Sequence, residues 1–314
     1  MIWRMSDEPL VAPLVAPRVA PLVALDIGGG HVTAGVVDGS SVGQLVRRSS
    51  SPAGTADELL DTWAGAATDA WSISSRVGRP VAIGIAMPAP FDYERGVARL
   101  EHKFAALYGI AVGAELAARW QGTVLAGVPV VFGNDADLWA LGEASAGQGR
   151  GSDRVIGLTL GSGLGSGFIA QGRVVRTGSS VPPDGEIWNV AFADGIAEDR
   201  VSGRAVTEAY VRRTGRSLDA VDVADAARAA DRAAIEVFAA LGDDLGAVIA
   251  PWARAFRADM IVVGGNVARA FDLFGPTLAH GLEGLSDVRC TVLFEKATLI
   301  GAAVIGRSAA NADR

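Results

Sequence analysis

Apolar residues along the chain come in short runs separated by turns rich in glycine and proline. Residues 22–26 read as a short buried strand, 27–30 as a tight glycine turn and 32–37 as a returning strand, so the chain opens on a predicted hairpin. Residues 57–75 carry apolar positions at helical spacing, Trp63 and Trp71 among them. A strand is expected over 81–86, stopped by Pro88 and Pro90, then a helix over 112–120. The strand over 128–132 runs straight into Gly133, Asn134 and Asp135. A second block repeats the theme: helix 137–146, strand 155–160, glycine turn 161–167 and a returning strand 168–175. An Ala-rich stretch over 220–250 predicts one long helix, 260–265 a strand entering a glycine turn, and 297–307 a closing helix. Alternating strands and helices predict an α/β protein. The repeated strand, glycine turn and strand predict two related domains facing a cleft. Their expected limits are 22–133 and 134–296, with the closing segment 297–314 packing back on the first domain.

Composition narrows the function. The chain has 314 residues, half of them apolar, with a formal net charge of −7. That length suffices for two cores. An acidic surface argues against a general nucleic-acid or anionic-membrane binder. The single cysteine, Cys290, excludes an internal disulfide and a thiolate zinc cluster, and suits a reducing cytoplasm. Pro9, Pro13, Pro17 and Pro21 interrupt a Val-Ala-Pro-Leu theme that is neither a signal-peptide core nor a membrane span. Residues 1–21 read either as a flexible Pro-rich tail or as the product of a start placed too far upstream.

Four motifs carry chemistry. In Asp26-Ile-Gly28-Gly29-Gly30-His31-Val-Thr33, the glycines let the backbone approach a phosphate, and Asp26 at the strand end can hold magnesium through water. The bland reading is a plain hairpin turn. Gly161-Ser162-Gly163-Leu164-Gly165-Ser166-Gly167 is a second glycine-rich turn. The apolar strand after it does not fit the helix-opening dinucleotide fingerprint. In Gly133-Asn134-Asp135-Ala136-Asp137, an Asp between strand and helix can accept the proton of a sugar hydroxyl; the competing reading is helix capping. Gly264-Gly265-Asn266 after a strand can face an adenine, or is an ordinary strand-to-helix turn.

In this order and spacing, over residues 22–307, the motifs resemble the ROK family (repressors, open reading frames and kinases). Gly84-Ile-Ala-Met-Pro-Ala-Pro90 and Gly133-Asn-Asp-Ala-Asp-Leu-Trp-Ala-Leu-Gly-Glu143 are similar to two further family segments. The resemblance implies a two-domain actin-like (ribonuclease-H-like) ATPase fold with an interdomain cleft. It implies an ATP- and Mg2+-dependent kinase acting on the primary hydroxyl of a hexose or aminohexose, with a small-molecule sugar as partner and a homodimer expected. Asp135 would be the base, Asn134 would hold sugar hydroxyls, and Glu186 and Glu198 resemble the family's sugar-binding glutamates. Each carboxylate can accept two hydroxyls at once. Asp184, Lys103 and Trp188 join the expected sugar pocket, and His31 the phosphate side.

The departures bear on specificity. Family members carry Glu-x-Gly-His followed by a cysteine zinc site, whereas this chain reads Glu186-Ile-Trp188-Asn189 with no cysteine nearby. No zinc is therefore expected. Polyphosphate-using relatives also lack it, which leaves the phosphoryl donor open. A family Asn is replaced near His102-Lys103-Phe104, and Trp188 is bulky for its place, which turns the expectation from glucose towards an aminohexose such as glucosamine or kanosamine. Lys103 opposes that reading by repelling an ammonium. A family repressor would carry a helix-turn-helix domain of about 60 residues ahead of Asp26, and the Pro-rich start supplies no recognition helix. A sugar-binding protein without catalysis would be expected to lose Asp135.

Overall fold

The computed structural model describes residues 20–101 and 103–312, so the expectations for the tail and for His102 lie outside the described residues. The first sheet is built from β1 (Leu22–Ile27), β2 (His31–Asp38), β3 (Ser41–Val42), β4 (Val46–Ser49), β5 (Ile83–Met87) and, beyond the small hairpin β6 (Phe91–Asp92) and β7 (Val97–Ala98), β8 (Val130–Asn134). Strands β1 and β2 form the expected antiparallel hairpin, both β3 and β4 pair with β2, and β1, β5 and β8 run parallel. Val23, Leu25, Ile27, Ile83, Ile85 and Met87 point to one face. There they meet α1 (Ala56–Ile73) and α2 (Val112–Arg119). Trp63 and Trp120 are fully buried beneath this layer. Each indole N–H finds an acceptor, Ser50 Oγ at 3.1 Å and the Ala64 carbonyl at 3.1 Å. Burying such side chains contributes roughly 2–3 kcal/mol apiece, and the paired N–H groups keep that gain.

The second sheet holds β9 (Arg154–Leu160), β10 (Leu164–Ala170), β11 (Arg173–Val174), β14 (Met260–Gly264) and β15 (Asp287–Cys290), in the order β11-β10-β9-β14-β15; the hairpin β12 (Ala191–Phe192) and β13 (Gly195–Ile196) stands apart. Ile156, Leu158, Phe168, Ile261 and Val263 face a helical layer. That layer is α4 (Gly203–Thr214), α5 (Ala220–Arg228), α6 (Arg232–Phe256) and α7 (Phe271–Gly281). The single helix expected over 220–250 is α5 and α6. Ala230 takes a positive φ of 67°, and Asp231 restarts the chain as an N-cap that accepts the Ala234 N–H at 3.1 Å and the Tyr210 O–H at 2.8 Å. The expected turn 161–167 is shorter, because β10 begins at Leu164. Helices α4 and α7 and strand β15 are additions to the elements expected from the sequence.

Between the sheets lie α3 (Asp135–Ala146) and α8 (Glu295–Ala312). Their shared core takes Leu22, Ala24 and Ala86 from the first sheet and Val155, Ile169, Met260 and Val262 from the second. A helix sandwiched in this way has no solvent face, and residues 137–143 of α3 are buried without a break. The two helices touch backbone to backbone. A Cβ on Gly142 would overlap the Ala297 carbonyl, and one on Gly301 the Leu138 carbonyl. Helix α3 also lies flat on the second sheet, where a Cβ on Gly167 would come within 2.7 Å of the Ala140 Cβ and 2.9 Å of the Asp137 Cα.

Candidate active site

Parallel strands place their carboxyl ends side by side, and ligands of α/β proteins gather at that edge. In the first sheet the register pairs Asp26 of β1 with Ala86 of β5, and Met87 of β5 with Asn134 of β8. Residues over a hundred positions apart are thereby brought together, with Asp26 and Asp135 in one half-buried patch. Asp26 is pushed up to about 7, first by burial, then by the charges of Asp135 and Glu295, with only Arg47 pulling it down. Asp135 is also raised, by burial; its Oδ1 accepts the Ala136 N–H at 2.9 Å, Lys103 favours its charge and Glu186 disfavours it. Asp26, Asp135, Glu186 and Glu295 against Arg47 and Lys103 leave a deficit of positive charge, which a divalent cation near Asp26 would fill. Among the described residues no group of three or more His, Cys, Asp or Glu side chains forms a closed metal site. A bound ion would therefore draw most of its ligands from phosphate and water.

The first glycine loop is a turn in which the Gly28 N–H donates to the His31 carbonyl at 2.9 Å and the Gly30 carbonyl accepts from Ser50 N–H at 3.1 Å. A Cβ on Gly30 would meet nothing within 4 Å, and one on Gly29 would lie 3.7 Å from the Lys103 Nζ. The loop is thus open, with one ammonium over it. Phe104, fully buried and 5.4 Å edge-on from Trp63, anchors that lysine from below. The His31 Nε2 accepts from Arg47 at 2.6 Å, and the ring is held below its usual titration range by burial and by Arg47. Thr33 is 2 % exposed within β2, so its hydroxyl stays inside the sheet.

The second glycine loop is Gly161 to Gly163. Gly161 and exposed Ser162 are open to solvent, and the Gly161 carbonyl accepts the Gly203 N–H at 2.8 Å, which ties the loop to the start of α4. Gly165 lies within β10, where a Cβ would strike the hydroxyl of Thr159, its partner on β9, and approach the Ala136 Cβ to 3.1 Å, so its lack of a side chain makes room first for Thr159 and then for α3. Gly264 and Gly265 follow β14 in the same way. A Cβ on the first would strike Trp139, and one on the second, at φ 81°, would enter the Leu160 backbone. Asn266 opens a short 3-10 turn and has no capping bond.

Asn134 is the N-cap of α3, and its Oδ1 accepts the Asp137 N–H at 3.1 Å. Capping and cleft position, which read as alternatives in the sequence, coexist, because Asp135 is the first helical residue and its carboxylate stays outside the cap. The expected helix start at 137 moves two residues forward for the same reason. The Asn134 amide N–H donates to the Tyr93 hydroxyl oxygen at 3.3 Å. Tyr93 is pushed up to about 12, chiefly by burial, and donates its O–H to the Met87 carbonyl at 3.1 Å.

Glu186 accepts the Trp188 indole N–H at 2.8 Å, so the indole lies along the carboxylate. The segment is pinned by buried Ser166, whose hydroxyl donates to the Gly185 carbonyl at 2.7 Å and accepts the Ile187 N–H at 3.0 Å. Glu198 stands against the second glycine loop: its Oε2 accepts the Leu164 N–H at 2.9 Å, and Arg204 lies 3.6 Å from Oε1. The Glu198 N–H donates to the Trp188 carbonyl at 3.0 Å, which links the two glutamates. Asp184, exposed at φ 57°, has no hydrogen-bond partner among the described residues. Arg47, Tyr93, Arg176 and Glu295 were missed in the sequence, since none stands in a motif or a periodic pattern; Ser166 stands in the second glycine motif, and its hold on Gly185 and Ile187 shows only in the fold.

The model of the ROK family matches residues 22–307. A glucokinase of Thermotoga maritima is 29 % identical over 253 residues, covering 71 % of this chain and 78 % of that one. Among solved structures, a ROK hexokinase from Thermus thermophilus aligns with a TM-score of 0.78 at 25 % identity, covering 93 % of this chain and 99 % of that one. A ROK family glucokinase from Streptomyces griseus, in complex with glucose and AMPPNP, gives a TM-score of 0.73 at 26 % identity and covers 92 % and 99 %.

Proposed function

Because the chain belongs to the ROK family and has its two-domain actin-like ATPase fold, we propose that it is a sugar kinase that transfers the γ-phosphoryl group of ATP to the primary (6-) hydroxyl of a hexose, with an aminohexose preferred. The observation that supports this most directly is Asp135. It is a half-buried carboxylate at the first turn of α3, within the field of Lys103 on one side and Glu186 on the other. Burial raises its proton affinity, which strengthens it as a base, while the helix N-terminus and Lys103 keep the ionised form available.

In this reading Asp135 takes the proton from the attacking hydroxyl. Asn134 keeps one amide N–H and one oxygen lone pair free beyond its two structural bonds, and offers both to sugar hydroxyls. Mg2+, when bound, would neutralise phosphate charge, and Asp26 is the residue to hold it, through water. The open backbone at Gly29 and Gly30 and at Gly161 and Ser162 would cradle the donor's phosphates, with the Glu198 carboxylate already seated against Gly163. Gly264, Gly265 and Asn266 would border its adenine.

The preference for an aminohexose rests on charge. Asp135 and Glu186 lie within each other's field, Glu198 and Asp184 are taken to join them and Arg204 offsets only Glu198, while Lys103 lies towards the first glycine loop, which weakens its repulsion of a sugar ammonium. A panel of glucose, mannose, glucosamine and kanosamine, each with ATP and with polyphosphate in a phosphate-transfer assay, tests the reading. The highest kcat/KM is expected for an aminohexose with ATP. Glucose as the best acceptor would overturn the specificity, polyphosphate as the better donor would overturn the donor, and no transfer to any sugar would overturn the kinase.

A further inference from the structure

Arg176 follows β11 in the second half of the molecule and stands in none of the four motifs. Its guanidinium engages both halves. Nε donates to Asp137 Oδ2 of α3 at 2.6 Å, and Cζ lies 5.1 Å over the ring of Tyr93, next to β6 in the first half. Tyr93 accepts from the Asn134 amide at 3.3 Å, and Asn134 accepts from the Asp137 backbone N–H at 3.1 Å. The four residues Arg176, Tyr93, Asn134 and Asp137 thus form a closed ring of contacts directly beside Asp135.

We propose that Arg176 is a positioning residue for the acceptor sugar: by clamping Tyr93 and Asp137 it fixes the Asn134 amide in the one orientation that turns its spare N–H and lone pair to the sugar. The inference rests on the sugar-kinase reading above.

An amide whose N–H and C=O exchange places offers a donor where an acceptor is needed, so a sugar hydroxyl network depends on which way it faces. Two partners of opposite character settle that here, an acceptor at Tyr93 and a donor at Asp137. The Asp137 donor is a backbone N–H fixed in buried α3, so the partner that Arg176 has to hold is Tyr93, with the Asp137 carboxylate as the anchor of the guanidinium. The Tyr93 ring is held by the planar guanidinium stacked on it, and a lysine cannot reproduce that contact. Asp137 is 4 % exposed while the Arg176 side chain is 35 % exposed, and an ion pair with one buried member gains little net stability once that member's desolvation is counted. Burial holds the Asp137 carboxyl up at about 6 against the pull of Arg176, so this pair is costly to keep ionised. An orienting role accounts for its presence better than a stabilising one. The ring also closes only when the second-half loop meets the first-half hairpin, so Asn134 is set by the relation of the two sheets seen here.

The test is steady-state kinetics with Mg·ATP and the sugars of the panel on Arg176→Lys, Arg176→Met and Tyr93→Phe. Tyr93→Phe keeps the stacked ring and removes the acceptor for Asn134 together with the hydroxyl's bond to the Met87 carbonyl. Arg176→Met with Asp137→Asn removes the orphan charge should the single variant fail to fold. We expect Arg176→Met and Tyr93→Phe each to raise the sugar KM about tenfold, the scale of one lost hydrogen bond, with the KM for Mg·ATP within about twofold of wild type. The pair together should do no more than about the larger single effect, since they act on one chain of contacts. Arg176→Lys should restore the wild-type melting temperature and not the sugar KM. Unchanged sugar KM in Tyr93→Phe, or full kinetic rescue by lysine, overturns the proposal. So does a parallel rise in both KM values with a lowered melting temperature. A wild-type protein that phosphorylates none of the sugars removes the kinase reading and this inference with it, whereas an active wild type with unaffected variants removes the inference alone.

Discussion

Removing the charge of Asp26 should make the protein more stable and less active. The carboxyl is held up at about 7, against 3.8 for an ordinary aspartate, mainly by burial and then by Asp135 and Glu295. At pH values below 3.8 the group is protonated folded and unfolded, and it costs nothing. As pH rises towards 7 the unfolded chain gives up the proton while the folded one retains it, so folding stability declines across that window. Above 7 the full penalty applies, on the order of 4 kcal/mol for a carboxyl held at about 7 in the fold. Asp26→Asn keeps the shape and removes the charge. Without magnesium or nucleotide, urea unfolding followed by tryptophan fluorescence should show the variant more stable than wild type at pH 8 by up to about 4 kcal/mol, narrowing to well under half of that by pH 5. Added Mg·ATP should then stabilise the wild type and leave the variant nearly unmoved. A variant that is no more stable than wild type at pH 8, or a gap that does not change with pH, would refute the reasoning from burial and like charge.

Asp135→Asn should lower kcat by roughly 10²-fold or more, the scale of a lost general base, with the nucleotide dissociation constant unchanged by calorimetry; near-normal turnover would remove Asp135 from that role. Glu186→Gln should raise the KM of the preferred sugar far more than that of Mg·ATP, and equal effects on the two would place Glu186 outside the sugar site. Gly301→Ala drives a methyl into the Leu138 carbonyl of α3, so a loss on the order of 1–3 kcal/mol is expected from overpacking; a variant melting with the wild type would show that the α3–α8 contact can slide apart without cost.

Where a feature depends on residues close in the chain, the sequence by itself determined it. The β1–β2 hairpin, α1, the body of α3, and the glycine turns after β9 and β14 all follow from apolar alternation, helical spacing and turn residues. The Ala-rich stretch misled because composition does not show where a chain breaks; Asp231 breaks it through a hydrogen bond from Tyr210, twenty-one positions away. The site was half legible for the same reason. Asn134, Asp135 and the open glycines could be read, whereas Arg47, Tyr93 and Arg176 could not, since each reaches the cleft from a different element. Two further contacts show only in three dimensions: the bare backbone of Gly165 makes room for Thr159 and α3, and the Lys103 ammonium lies over Gly29. The electrostatics belong wholly to the tertiary structure. Asp26 and Asp135 are ordinary acids in the chain, and only the parallel register of β1, β5 and β8 sets them together out of water, where desolvation and like charge raise both. A local pattern encodes which way a side chain faces along its own element, but what it faces is decided by strands and helices a hundred residues distant.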